Sequence, residues 1–350
     1  MTPQDNLQIV LNSRPHGAPT AENFAQRSVP VPAPRDGEVL LRTIYLSLDP
    51  YMRGRMNDAK SYVPPFALGD VLGGATVSEV LESHDDSLKP GDFVLSHVGW
   101  QQFGLQKAKH LRRLDPAMAP ISTAVGVLGM PGFTAYAGLT QIGKPQPGET
   151  LAVAAATGPV GSVVGQIAKI NGLSTIGIAG GAAKVKHLVD LGFDEALDHR
   201  SPHLRDELKA AAPEGIDIYF ENVGGAVWDA ILPRLNTFAR VPLCGLVADY
   251  NLTEAPTGPD RGPRMMRAIL TKSITVRGFI QNEFEAAHFG AFLDDMGAWV
   301  RDGAVQYRED IVQGLTQAPE AFAGLLEGKN FGKLLIQVGD DPTRSSGFGS

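Results

Sequence analysis

The stretch LAVAAATGPVGSVVGQIAK (151–169) sets an apolar, strand-like run directly against a turn of small residues that opens into a helix-periodic segment. A strand, tight turn and helix start in that order form a seat for a dinucleotide pyrophosphate. The helix-start N–H groups and the helix dipole attract the anion, and glycine lets backbone and phosphate approach closely. Gly158 and Gly161 stand where that approach is needed. The strict G-x-G-x-x-G spacing is absent; the chain has Ala155-x-x-Gly158-x-x-Gly161, a looser form that a well-packed turn without a ligand also explains. Its surroundings favour the phosphate seat. STIGIA (174–179) precedes AAKVKHLVDLG, EALDH (195–199) precedes PHLRDELKAAA, IDIYF (216–220) precedes AVWDAILPRL, and ARVPLCG follows. Short apolar strands alternating with amphipathic helices predict βαβ units, hence an α/β fold with a doubly wound parallel sheet covered on both faces.

Cofactor choice is read at the end of the second strand, where NAD enzymes place an acid on the adenosine ribose. Gly180 and Gly181 occupy that place, and the first charged side chain is Lys184, followed by Lys186. A cation there meets a 2′-phosphate that an acid would repel, so NADP(H) is favoured. A solvated helix face is the alternative reading of both lysines.

Outside this block the rhythm changes. Residues 1–127 read as short strands between Pro/Gly turns, such as VLLRTIYLSLDP (39–50) and KPGDFVLSHVGWQQF (89–103). After 274, ITVRGF reads as a further strand and EAAHFGAFLDDMGAWVRDG (285–303) as a helix, and 305–338 returns to strand-like segments. The expected organisation is a β-rich domain from 1–127 and 305–338, a nucleotide domain at 128–304, and a disordered polar tail at 339–350.

With 350 residues, 43% hydrophobic and 20% charged, the chain has the balance of a two-domain globular protein. A net charge of -7 offers no basic surplus for a phosphate backbone, so nucleic acid is not an expected partner. The apolar runs fall short of the ~20 residues of a spanning helix, and the N-terminus carries no pattern of an export signal, so a cytoplasmic location without membrane attachment is expected. The single cysteine, Cys244, supplies neither a disulfide nor a multi-cysteine zinc site.

Five motifs, YLSLDPYMRGRM (45–56), LGMPGFTAY (128–136), AAATGPVGSVVGQ (154–166), YFENVGG (219–225) and GKNFGKLLIQV (328–338), carry a resemblance that spans about 7–338. On them the chain resembles the zinc-independent medium-chain dehydrogenases/reductases. The branch is that of prostaglandin and leukotriene reductases, plant alkenal reductases and bacterial curcumin reductase. The resemblance implies a GroES-like β-rich domain joined to a Rossmann domain, with NADPH in the cleft. It implies that Gly158, Pro159, Val160 and Gly161 cradle the pyrophosphate and that Lys184 holds the 2′-phosphate. His199 stands where relatives often carry a tyrosine near that phosphate. Asn222 and the stretch containing Cys244, Gly245, Leu246 and Tyr250 would line the cofactor. Phe279 and Ile280 would flank the nicotinamide, Thr134 would lie near its carboxamide, and Asn330 would reach in from the C-terminal part. Read by themselves, Asn222 and Asn330 also fit ordinary turns, and Cys244 fits an inert buried thiol.

No metal is expected. Ser47 stands about where the zinc branch has its first cysteine, LGDVLGG (68–74) has Asp70 and no histidine, and His199 with His203 is the only closely spaced histidine pair. Reduction without a metal suits a conjugated enone or enal, which accepts hydride at its β-carbon while charge develops on its carbonyl oxygen. A neutral tyrosine can stabilise that charge. Tyr51 and Tyr62 are the candidates, with cleft-wall packing as the alternative for each. Several relatives have a tyrosine a few residues before the ITVRGF-like strand, where this chain has Thr271. The resulting expectation is an NADPH-dependent oxidoreductase of the CH–CH group, acting on small unsaturated aldehydes or ketones and forming a homodimer through the strand near 274–280. Quinone reduction and a non-catalytic NADPH-binding sensor are the rivals.

Overall fold

The computed structural model describes residues 5–257 and 259–344. The chain divides into two compact units: Val127–Arg308 is one, and the other runs to Gly126 and resumes at Glu309.

The Val127–Arg308 unit is built on six strands: β1 (Thr150–Ala154), β2 (Ser174–Ala179), β3 (Glu195–Asp198), β4 (Ile216–Phe220), β5 (Leu235–Leu243) and β6 (Thr275–Gly278). They lie in the order β3-β2-β1-β4-β5-β6, all parallel, so the direction of winding reverses between β1 and β4. This is the doubly wound arrangement, and the reversal opens a crevice at the carboxyl ends of β1 and β4. Its helices are α1 (Met130–Ala137), α2 (Gly161–Ile170), α3 (Ala182–Asp190), α4 (Leu204–Ala211), α5 (Gly225–Ile231), α6 (Gly262–Lys272) and α7 (Asn282–Arg301). Alternate side chains of each strand face opposite layers. Leu151, Val153, Ile218 and Phe220 pack with Phe133, Val164, Ile167, Phe292 and Met296 on one face. On the other, Ala152, Ala154 and Tyr219 pack with Leu208, Val227 and Ile231.

Helix α6 was not anticipated from the sequence. It begins with Pro263 in its first turn, a position that needs no N–H partner, and packs Met265, Ala268 and Ile269 inward at helical spacing. Met266 and Leu270 on the same helix remain exposed.

The other unit holds a seven-stranded sheet. Glu309–Gln313, Lys333–Gln337, Glu38–Ser47, Thr76–Ser83, Phe93–Ser96 and Arg112–Leu114 follow one another across it, and Phe103–Lys107 also pairs with Glu38–Ser47. A separate antiparallel pair joins Asp5–Leu11 to Phe24–Pro30. The segment expected to be strand-like throughout contains a helix, Ala318–Leu326. Its presence follows from topology: Glu309–Gln313 and Lys333–Gln337 are parallel, and parallel neighbours need a crossover.

Two further differences concern boundaries. Residues 305–308 belong with the nucleotide unit, where Val305 is buried and Gln166 exchanges two hydrogen bonds with the main chain of Gln306, at 2.7 and 2.9 Å. Asp340 and Asp341, expected in a disordered tail, are held by hydrogen bonds. Tyr45 donates to Asp341 at 2.9 Å, and Arg42 reaches the Asp340 carbonyl, which holds this segment against the sheet. Residues 345–350 lie outside the described residues.

Candidate cofactor and substrate site

At the β1–α2 turn the backbone is shaped for a close ligand. Ala155 takes φ 51°, a left-handed conformation that costs a non-glycine residue about 1 kcal/mol or more. A Cβ on Gly161 would collide with the Ala155 carbonyl oxygen and lie 2.8 Å from the Ala156 Cα, so no larger residue fits there. Ser162 closes the turn, its amide and hydroxyl both donating to the Gly158 carbonyl. Pro159 and Val160 lead into the ten-residue α2, whose first amides have no carbonyl partner within the helix. A small-residue cradle at the start of a helix fits a pyrophosphate.

Across the reversal of winding, Asn222 donates its side-chain amide to the Ala154 carbonyl at 2.9 Å. The preceding Glu221 is buried, and its Oε1 accepts the Val223 amide at 2.7 Å, the Gly224 amide at 2.9 Å and the Tyr219 hydroxyl at 3.0 Å. Burial raises the Glu221 pKa while these donors oppose the shift. Its main-chain carbonyl receives the amides of Cys244 and Gly245, so the ends of β4 and β5 are laced together. Sequence reading assigned Glu221 no role; a carboxylate at the end of an apolar strand was the available signal.

The stretch after β5 meets the end of β6 around a hollow of about 620 Å³ lined by Cys244, Gly245, Leu246, Tyr250, Phe279 and Ile280, among others. The Tyr250 hydroxyl lies beside Gly245. Phe279 is fixed edge-on against Phe220 at 6.2 Å, whereas Ile280 is exposed. Burial, and secondarily the Glu221 charge, push the Cys244 thiol up to about 12, the property of an inert thiol. Thr134 is buried in α1 with its hydroxyl donating to the Met130 carbonyl at 2.7 Å.

At the ribose end, Asp198 turns its carboxylate to the main chain, accepting the amides of Gly181 at 3.0 Å and Arg200 at 2.9 Å. The His199 ring and the Arg200 guanidinium face the glycine turn instead. A Cβ on Gly180 would stand 2.6 Å from His199 Nε2 and 3.2 Å from Arg200 Nε, so a side chain there would push both away. The His199 pKa is lowered, by burial first and then by Arg200 and Lys184, with Asp198 opposing. Arg200 was not singled out in the sequence, although a basic residue directly after the third strand was its visible sign. Lys186 pairs with Asp190 at 2.9 Å one turn along α3, a solvated helix-face contact.

In the other unit, Tyr51 opens the short helix Tyr51–Arg55. Burial, then the Asp49 charge, raise its pKa well above the usual range, while the nearby Arg55 charge opposes the shift. Tyr62 is 58% exposed and near enough for its charge to add to the same effect. Arg55 lies 4.1 Å over the Phe66 ring and donates to the Pro64 carbonyl, and Arg53 is buried with its guanidinium on the carbonyls of Pro15 and Gly17. Both arginines thus brace local structure. Asn330 donates to the Gly332 carbonyl within its own turn. Thr271 returns its hydroxyl to the Arg267 carbonyl in α6. Ser47 donates to Asp49, and among the described residues no group of three or more His, Cys, Asp or Glu side chains is gathered to hold a metal ion. Nor is any helix among them long and apolar enough to cross a membrane.

The fold and these sites define a two-unit dehydrogenase/reductase. Family models described as the N-terminal domain of oxidoreductase and as zinc-binding dehydrogenase match residues 7–114 and 159–295. The chain belongs to the medium-chain dehydrogenase/reductase superfamily, and it is an oxidoreductase. It is similar to NADPH-dependent curcumin reductase of Escherichia coli (strain K12), with 53% identity over 97% of this chain and 99% of that protein. Prostaglandin reductase 1 of Bos taurus is 38% identical over 92% of this chain and 96% of its own. The crystal structure of CurA from Vibrio vulnificus in complex with NADPH matches with a TM-score of 0.93 and 51% identity, covering 96% of this chain and 100% of that one.

Proposed function

We propose that this chain is an NADPH-dependent reductase of the carbon–carbon double bond in α,β-unsaturated aldehydes and ketones, working without a metal. The observation that carries the cofactor choice is the ribose end: the nearby acid, Asp198, is occupied by main-chain amides, while His199 and Arg200 face the Gly180–Gly181 turn. A 2′-phosphate is favoured there and Lys184 adds to the field, while Asp198 Oδ1 is already taken by two main-chain amides. Gly158, Pro159, Val160 and Gly161 hold the pyrophosphate. Asn222, the 244–250 stretch, Phe279, Ile280, Thr134 and Asn330 surround the rest.

Bound NADPH supplies a hydride. As the β-carbon of the substrate accepts it, charge moves to the carbonyl oxygen, Tyr51 stabilises that oxygen through its phenol with Tyr62 as its neighbour, and a proton taken up from water at the α-carbon completes the reduction. The Tyr51 phenol is neutral at pH 7, as an ordinary tyrosine is, so its O–H can donate. The similarity to curcumin and prostaglandin reductases supports the enone class. Stopped-flow oxidation of NADPH with an enone, with a quinone and with no acceptor tests the reading. Rapid turnover is expected with the enone; faster turnover of the quinone, or tight NADPH binding with no turnover at all, would replace it.

We infer also that a second copy of this chain covers the free edge of β6. All four residues of that strand are exposed at the end of the sheet, and Met266 and Leu270 of α6 are 62% and 80% exposed. An open sheet edge is a liability that natural sheets keep covered.

A further inference from the structure

We propose that the buried pair Lys333–Asp49, tied in through Ser47, is a positioning device that fixes where the Tyr51 phenol points; this rests on Tyr51 acting as the donor. The Lys333 and Asp49 side chains are 3% and 6% exposed. Lys333 Nζ donates to Asp49 Oδ1 at 2.7 Å and to the Leu48 carbonyl at 2.8 Å, and Ser47 Oγ donates to Asp49 Oδ2 at 2.5 Å. The Leu48 amide in turn donates to the Leu334 carbonyl. Three consecutive residues, 47–49, are therefore fastened to the Lys333–Gln337 strand immediately before Pro50 and the Tyr51 helix. That helix has five residues, too few to hold a direction without support, so its orientation is inherited from the turn before it.

Stability does not account for the pair. Burying two ions carries a desolvation penalty that their attraction often fails to exceed, and well-packed apolar residues of similar volume do as well or better. What an apolar pair cannot reproduce is a directional bond to one carboxylate oxygen and one carbonyl. The ammonium also balances the Asp49 charge, which acts on the Tyr51 hydroxyl.

The test compares Lys333→Met/Asp49→Asn, which removes both charges together, with Ser47→Ala, Tyr51→Phe, and Tyr51→Phe combined with the double change. For the double variant the expected result is a melting temperature within a few degrees of the parent and NADPH affinity by fluorescence within about twofold. Its kcat on an enone should fall about tenfold or more at nearly constant KM. Ser47→Ala should lose about threefold in kcat by the same route, and it decides the matter if the double variant does not fold. In the Tyr51→Phe background, removing the pair should cost nothing further, because both changes then act on one group. Multiplying losses in that background, or full kcat in the folded double variant beside a slow Tyr51→Phe enzyme, would overturn the positioning role alone. Wild-type turnover by Tyr51→Phe would instead remove the donor reading on which it rests.

Discussion

The side-chain amide of Asn222 donates to the main-chain carbonyl of Ala154 and thereby bridges β4 to β1 at the point where the sheet changes its direction of winding. Asn222→Asp should be worse than Asn222→Ala, because a carboxylate would face a carbonyl oxygen across that bridge. A loss of about 1 kcal/mol of stability is expected for Ala and more for Asp, with weakened NADPH binding in both. Calorimetry and NADPH fluorescence titration measure the two effects; equal behaviour of Ala and Asp would show that the bridge does not matter.

Lys184→Ala should weaken NADPH by about 1 to 3 kcal/mol through loss of a charged contact and leave NADH nearly unchanged. Titrating both cofactors checks it, since an equal loss for the two would remove Lys184 from the 2′-phosphate.

His199 gives a pH signature. Its folded-state pKa lies below the ordinary value, so its protonation opposes folding: the related stability is present above about pH 6.5 and is lost as pH falls below that value through the lower folded-state pKa. A 2′-phosphate beside the ring would favour the imidazolium and reverse the trend. Relative to NADH, NADPH should therefore raise the melting temperature more at pH 6 than at pH 8. Titration of the phosphate itself is common to all variants, so His199→Gln should lose the part of the difference that belongs to the ring. A pH trend identical in the parent and in His199→Gln would count against the assignment.

The nucleotide loop allows opposite predictions at two of its residues. Gly161→Ala places a methyl group against the Ala155 carbonyl, and overpacking of this kind costs about 1 to 3 kcal/mol and should abolish tight NADPH binding. Ala155→Gly relieves a left-handed alanine and should stabilise by up to about 1 kcal/mol with cofactor affinity retained. Urea unfolding and fluorescence titration of both variants read the contrast.

Val276→Asp together with Leu270→Glu should convert the proposed homodimer into a monomer near 37.2 kDa without unfolding it. Sedimentation velocity decides; a parent protein that is already monomeric would set the dimer aside.

The alternating apolar strands and helices of 150–245 were legible because their periodicity is the packing itself: Leu151 and Val153 face one layer, Ala152 and Ala154 the other. Helix α6 and helix Ala318–Leu326 were not, since each owes its place to tertiary context. The first covers the sheet beside β5 and β6, and the second is the crossover between two strands. Among site residues, glycines and lysines near the loop could be read from spacing. Arg200 and Glu221 could not, because their roles arise only when separate strand ends meet. Lys333 was legible as part of a motif, but its bond to Asp49 joins residues 284 positions apart.

That distance has a consequence for how the protein is made. The Glu38–Ser47 strand waits for Lys333–Gln337 as its antiparallel neighbour, whereas every strand of the Val127–Arg308 unit pairs within that unit. During synthesis the nucleotide unit has all its strands once β6 has emerged, while the unit that began first is sealed last. Until Lys333–Gln337 has been synthesised, Asp49 has no ammonium to meet it.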